Sequence, residues 1–243
     1  MRKAFIPFLL LANIAFAGEK RIKIAVIDTG ISPVAKDLLV RNISGELIPL
    51  RNFLCHSGHR DFTETTLSDA APHGTHIAAI IAASIDPKKT CMVIIKWYHT
   101  VEMTEVNKEK TMIGLVDAIR YASSLRVEFM NLSLEGNAYI GIERAAISEA
   151  ISLGIHVVVS AGNKGIDLDI ICETFPACYK MRSSRFRVVG ALTPDGRKAQ
   201  YSNFGSPVTN WEIGEQERLG LFMRGTSQAA AVYTGRWVAE VTR

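Results

Sequence analysis

Apolar and polar positions alternate over Arg21-Ile22-Lys23-Ile24 and then give way to the unbroken run Ala25-Val26-Ile27. A strand reads this way when it is buried on both faces of a sheet. Further apolar runs lie at Cys91–Trp97, Val127–Leu132, Ile155–Ser160 and Arg187–Leu192. Between them, apolar residues return at helical spacing over Ile77–Ser84, Thr111–Leu125 (Met112, Leu115, Val116, Ile119, Ala122), Gly141–Leu153 and finally Ala229–Val241. Strands alternating with helices of this length predict right-handed βαβ units. The expected fold is α/β: three layers, doubly wound, with a mostly parallel β-sheet flanked by helices. Residues 32–72 are polar and irregular and are expected to form covering or substrate-facing loops.

Composition narrows the picture without changing it. The 243 residues are 48% hydrophobic and 21% charged, as in an ordinary single globular domain. The net charge of +4 is scattered over both signs. No Lys/Arg cluster points to nucleic acid, and no nucleic-acid partner is expected. Arg2 and Lys3 precede an apolar stretch, Ala4–Ile14, that ends near Ala15-Phe16-Ala17. This is the layout of a secretory signal peptide, so residues 1–17 are expected to be removed and 18–243 to form the domain. The apolar stretch is short for a membrane span and contains Pro7 and Asn13, so no membrane attachment is expected afterwards. A secreted or periplasmic location suits four cysteines. Cys55, Cys91, Cys172 and Cys178 allow three pairings, of which Cys55–Cys91 with Cys172–Cys178 is favoured.

The candidate chemistry collects where these elements end. Asp28-Thr29-Gly30 follows the first strand, His73-Gly74-Thr75-His76 opens the first helix, and Gly225-Thr226-Ser227 runs into the Ala-rich last helix. A serine hydroxyl needs a base to become a nucleophile, and an imidazole suits because it titrates near neutrality. A carboxylate fixes the imidazole's tautomer. The start of a helix offers free N–H groups to a developing oxyanion. Asn163, in a Gly-flanked turn after a strand, supplies a second kind of donor. Asp28-Thr29-Gly30 also matches aspartic proteases, but that chemistry needs two such carboxylates and the chain has one motif.

Together these stretches resemble the subtilisin-like serine proteases (subtilases). Asp28-Thr29-Gly30, His73–Ala78 and Gly225-Thr226-Ser227 are similar to the family's Asp, His and Ser motifs, in the family's chain order. Ser160-Ala161-Gly162-Asn163 resembles its oxyanion segment and Asn131-Leu132-Ser133-Leu134 its substrate-strand edge. The resemblance implies a secreted serine endopeptidase with Asp28, His73 and Ser227 as triad and Asn163 as oxyanion donor. It further implies Ser133, Leu134, Gly136, Ala161 and Gly162 along the peptide substrate. No cofactor is expected. Asp167 and Asp169 read as solvated loop carboxylates, with calcium as the alternative.

The departures matter too. Glu135 interrupts a normally Gly-rich edge, and Gln228-Ala229-Ala230-Ala231 lacks the usual proline. Only Gly18–Lys20 separate the cleavage site from the first strand, so no pro-region is recognisable. This leaves open a folding partner or inhibitor, and a second reading as a catalytically degenerate, secreted subtilase-like binding protein. Lys164 is expected near the pocket for the residue before the scissile bond, giving tolerance of acidic side chains there. His76 reads as structural, and His56, His59, His99 and His156 as surface or structural.

Overall fold

The computed structural model describes residues 21–63, 72–98 and 105–243; the signal segment and His99 lie outside them. Its centre is the strand Ile22–Asp28 (β1). Two short strands, Leu39–Arg41 (β2) and Leu47–Pro49 (β3), pair as an antiparallel hairpin, and Arg60–Asp61 (β4) forms one edge of the main sheet. Thr90–Lys96 (β5), Phe129–Leu132 (β6), His156–Ser160 (β7), Phe186–Leu192 (β8) and Asn210–Ile213 (β9) complete it. The seven strands run in the order β4-β5-β1-β6-β7-β8-β9, and every pairing is parallel. A second hairpin, Glu215–Arg218 (β10) with Leu221–Arg224 (β11), stands apart from the sheet.

From β1 the chain goes to β5 on one side, then crosses to β6 on the other and continues outward to β9. The strand order therefore reverses at β1. Beyond the carboxyl ends of the strands at such a reversal a crevice opens, and ligands bind there in open α/β sheets.

The helices are His73–Ala82 (α1), Glu105–Ser124 (α2), Gly141–Ser152 (α3) and Thr226–Val241 (α4). Strand alternation sorts the core between them. Ile24 and Val26 of β1 and Met92 and Ile94 of β5 pack with Ile77, Ile80 and Ile81 of α1 and with Ala231 and Val238 of α4. Ala25, Ile27, Val93 and Ile95 face the other way, onto Leu115, Val116 and Ile119 of α2 and Ala146 and Ile147 of α3. Every residue of α1 after His73 is buried, which explains its small and, beyond the hydrogen-bonded Thr75 and His76, apolar make-up. At the α1–α4 crossing, a Cβ on Gly235 would come within 2.8 Å of Ser84 Cβ, so the helices touch almost backbone to backbone. The disulfides are Cys55–Cys91, tying the segment after the first hairpin to β5, and Cys172–Cys178.

The elements expected from apolar periodicity are all present, with bounds moved by a few residues. The last helix begins at Thr226 rather than Ala229, which puts Ser227 inside its first turn. The hairpins and the strands β4 and β9 have no counterpart among those expectations. The described part of the segment 32–72 holds β2, β3 and β4.

Candidate active site

Asp28 is the last residue of β1 and 3% exposed. Its Oδ1 accepts a hydrogen bond from the Thr29 N–H at 2.8 Å and lies 2.8 Å from His73 Nδ1. The register of β1 against β5 sets Asp28 beside Lys96, and its backbone carbonyl accepts from the Trp97 N–H. Its strand is held by β5 along its whole length and by β6 over Ile24–Val26.

His73 opens α1, and the residues around it dock that helix end on the turn after β1. The Gly74 N–H donates to Thr29 Oγ1 at 2.9 Å, and the Ser32 N–H donates to Thr75 Oγ1 at 2.8 Å. A Cβ on Gly74 would lie 2.5 Å from the Gly30 carbonyl and 3.2 Å from Asp28 Cβ. Glycine at that position is what lets the imidazole reach the carboxylate. Thr29 bonds the first motif to the second, and Thr75 bonds the second to Ser32, just past the first. His76, one turn on, is buried, with Nε2 3.1 Å from the Leu221 carbonyl. Burial holds its pKa below the ordinary histidine value. It fastens the β10–β11 hairpin to α1.

Ser227 lies in the first turn of α4, where backbone N–H groups lack intrahelical acceptors. Asn163 secures this helix end: its Oδ1 accepts from the Thr226 N–H at 2.8 Å and from Thr226 Oγ1 at 3.1 Å. With the amide oxygen so engaged, the other end of the Asn163 side chain is its NH2 donor. The Ser227 hydroxyl donates to the Ser133 carbonyl at 3.3 Å, and Ser133 Oγ donates to the Ser227 carbonyl at 2.9 Å. These bonds hold the end of β6 against the start of α4.

Two backbone segments form walls beside Ser227. On one, the Gly162 N–H donates to Thr226 Oγ1 at 3.0 Å, and the Ala161 and Gly162 carbonyls accept from the side-chain and backbone N–H groups of Asn203. Gly162 adopts φ +96, and a Cβ there would meet Asn203 Nδ2 at 2.4 Å, Thr174 Cγ2 at 2.6 Å and Glu135 Oε2 at 2.7 Å. On the other wall, the Leu134 carbonyl accepts from Ser160 Oγ at 2.9 Å. The backbone of Gly136 pairs in both directions with Phe175. Lys164, next to Asn163, donates from its ammonium to Asn137 Oδ1 at 2.7 Å, two residues past Glu135 on the facing segment.

A cleft of about 600 Å³ runs from Asp28 and His73 past Ser133–Ala138 to Met112, Leu115, Phe175 and Glu143. Glu143, in the first turn of α3, is 5% exposed. Burial pushes its carboxyl up to about 7, opposed by a hydrogen bond from the Tyr179 hydroxyl. Sequence reasoning passed over Glu143, because an acidic residue in a first helical turn ordinarily reads as a solvated partner of the helix dipole. Asp167 and Asp169 bond to their own loop: Asp167 Oδ1 accepts from the Asp169 N–H, and Asp169 Oδ2 from the Ser206 N–H. Among the described residues no group of three or more His, Cys, Asp or Glu side chains is placed to hold a metal ion.

Comparison with known proteins identifies the family and the fold. The model of the subtilase family matches residues 19–238. The major intracellular serine protease of Bacillus subtilis is 27% identical over 233 residues, which cover 89% of this chain and 67% of that protein. Cerevisin of Saccharomyces cerevisiae is 30% identical over 227 residues, covering 88% of this chain and 31% of that protein. The chain spans 45% of the length of several matched subtilisins, subtilisin E of Bacillus subtilis among them. Among solved structures, a cold-adapted subtilisin-like serine proteinase superposes with a TM-score of 0.67 at 23% identity, covering 98% of this chain and 81% of its own. A lanthipeptide protease superposes with a TM-score of 0.68 at 17% identity, covering 88% and 71%. The fold, the crevice at its strand reversal and the match across nearly the whole chain lead to one statement: this chain belongs to the subtilase family of serine proteases.

Proposed function

We propose that the protein is a secreted serine endopeptidase that cleaves peptide bonds with Asp28, His73 and Ser227, aided by Asn163. One observation carries the reading: a buried carboxylate at the end of β1 lies 2.8 Å from His73 Nδ1, so the opposite ring nitrogen is left with an accepting lone pair in the neutral tautomer. On substrate binding, Ser227 Oγ exchanges its Ser133 acceptor for that nitrogen and attacks the peptide carbonyl. His73 takes the proton and returns it to the leaving amine. Asp28 stabilises the imidazolium. The Ser227 N–H at the start of α4 and the Asn163 NH2 receive the oxyanion. This chemistry needs no cofactor. Residues 1–17 serve as the export signal, and the two disulfides suit an oxidising compartment.

The test is peptide hydrolysis by Ser227→Ala. We expect kcat/KM to fall by at least about 10⁴-fold with the unfolding transition preserved. Unchanged turnover would refute the assignment. A second reading, a peptide-binding protein without turnover, draws on the Glu135 side chain, whose carboxylate crosses between the walls to the Asn163 N–H at 3.2 Å. It requires the native protein to bind peptides and leave them intact.

A further inference from the structure

Glu135 does more than interrupt a glycine-rich edge. On the reading above, the carbonyl under attack lies between Ser227 Oγ and Asn163, so the residue that bears it sits between the Ser133–Gly136 wall and the Ala161–Asn163 wall. Its side chain must enter the slot that these walls enclose. Glu135 rises from the first wall and rests its carboxylate on the second, with Oε2 3.2 Å from the Asn163 N–H and 2.7 Å from where a Cβ on Gly162 would be. The nearest lysine on that wall, Lys164, is turned to Asn137. The adjoining cleft, whose lining shares Glu135 but not Ala161, Gly162, Asn163 or Ser227 with the slot, also carries Asp28 and Glu143 and neither lysine nor arginine.

We propose that Glu135 is a specificity-determining residue that selects arginine or lysine, over large apolar side chains, on the acyl side of the scissile bond. This rests on the protease reading. The contact Glu135 makes now is a single, long hydrogen bond to a backbone amide at an exposed position. A guanidinium entering the slot offers a paired, charge-assisted replacement for it. A phenylalanine or leucine side chain instead covers the carboxylate and strips its water without providing a countercharge. Selection by repulsion of the wrong side chain and attraction of the right one then both fall on one residue. The wall that receives Glu135 is held from behind by Asn203 and Thr226, so changing Glu135 leaves the slot itself standing.

The test uses the full chain as native protein, Glu135→Gln and Glu135→Gly, with two peptides that differ only in carrying Arg or Phe before the scissile bond. A small alkyl fluorophosphonate, which has no side chain to place in the slot, reports Ser227 chemistry separately. The native protein is expected to favour the Arg peptide in kcat/KM by at least about tenfold. Glu135→Gln keeps the shape and an acceptor for the Asn163 N–H, and is expected to lose that preference. Glu135→Gly is expected to favour Phe. Fluorophosphonate labelling should be equal in all three. Equal labelling with the same Arg/Phe ratio in all three proteins, or a Gln variant that matches the native ratio, overturns this inference and leaves the protease reading intact. Absence of both labelling and turnover in the folded native protein overturns the protease reading and this inference with it.

Discussion

The two walls of the slot are built on different principles. Gly162 is bonded through both its N–H and its carbonyl, to Thr226 and Asn203, and has no room for a Cβ. Asn203 itself reaches Ala161, Thr174, Lys164 and Ile166. Every degree of freedom on that side is over-determined by neighbours. The facing wall is anchored at Ser133, Leu134 and Gly136, but Glu135 between them is exposed and holds on by one bond. The contrast teaches where each property of such a cleft is stored. Chemistry is tied to groups that cannot move without breaking several bonds. The proposed selectivity rests on Glu135, a side chain that can change at little cost to the fold.

The largest effect that would break this contrast is expected at Gly162. Gly162→Ala adds a Cβ into contacts of 2.4–2.7 Å at a positive φ. A loss of at least about 3 kcal/mol in denaturant unfolding is expected. A loss below about 1 kcal/mol would show that the wall yields, and the over-determined picture would go. The second effect is at Asn163. Asn163→Ala removes the acceptor for the Thr226 N–H and Oγ1 as well as the proposed oxyanion donor. We expect kcat to drop by roughly 10²- to 10³-fold with KM little changed. A drop confined to KM would assign Asn163 to positioning alone.

The third effect sharpens the far end of the cleft. Glu143 has its carboxyl raised from 4.5 to about 7 by burial. The folded chain therefore binds that proton more tightly than the unfolded chain between these values. The favourable contribution is full below pH 4.5 and is lost as the pH rises through 7. Glu143→Gln removes the titration. Relative to the native protein, the variant should gain on the order of 2–3 kcal/mol between mildly acidic and mildly alkaline solution. Unfolding curves at both ends of that range check this, and an equal difference at both would contradict it.

The sequence alone carried the sheet's interior and the residues at its carboxyl ends. Strands such as Ile22–Asp28 and Thr90–Lys96 are buried on both faces, so burial writes itself into continuous apolar runs. The Asp28 and His73 motifs were legible for a related reason: Thr29 and Gly74 are required by contacts between the two motifs and Thr75 by its bond to Ser32, and each leaves its mark beside the residue it serves. Strands β9 and β10 were illegible because they read Asn-Trp-Glu-Ile and Glu-Gln-Glu-Arg, without apolar alternation; β9 is paired by β8 and β10 by its hairpin partner β11. Glu143 escaped because its burial comes from how α3 packs against Tyr179, which no local spacing encodes. Glu135 was visible as an interruption, but its reach across to Asn163 depends on two loops 28 residues apart. The backbone of Gly136 was expected to face substrate, and its pairing with Phe175 likewise joins distant segments.

The most direct test is covalent labelling of the folded native chain by a fluorophosphonate, with the site located by mass spectrometry. The account predicts one label per chain, on Ser227, formed at least about 10³-fold more slowly when His73 is changed to Ala. A folded protein that takes no label, or one that labels Ser227 equally fast without His73, would contradict it.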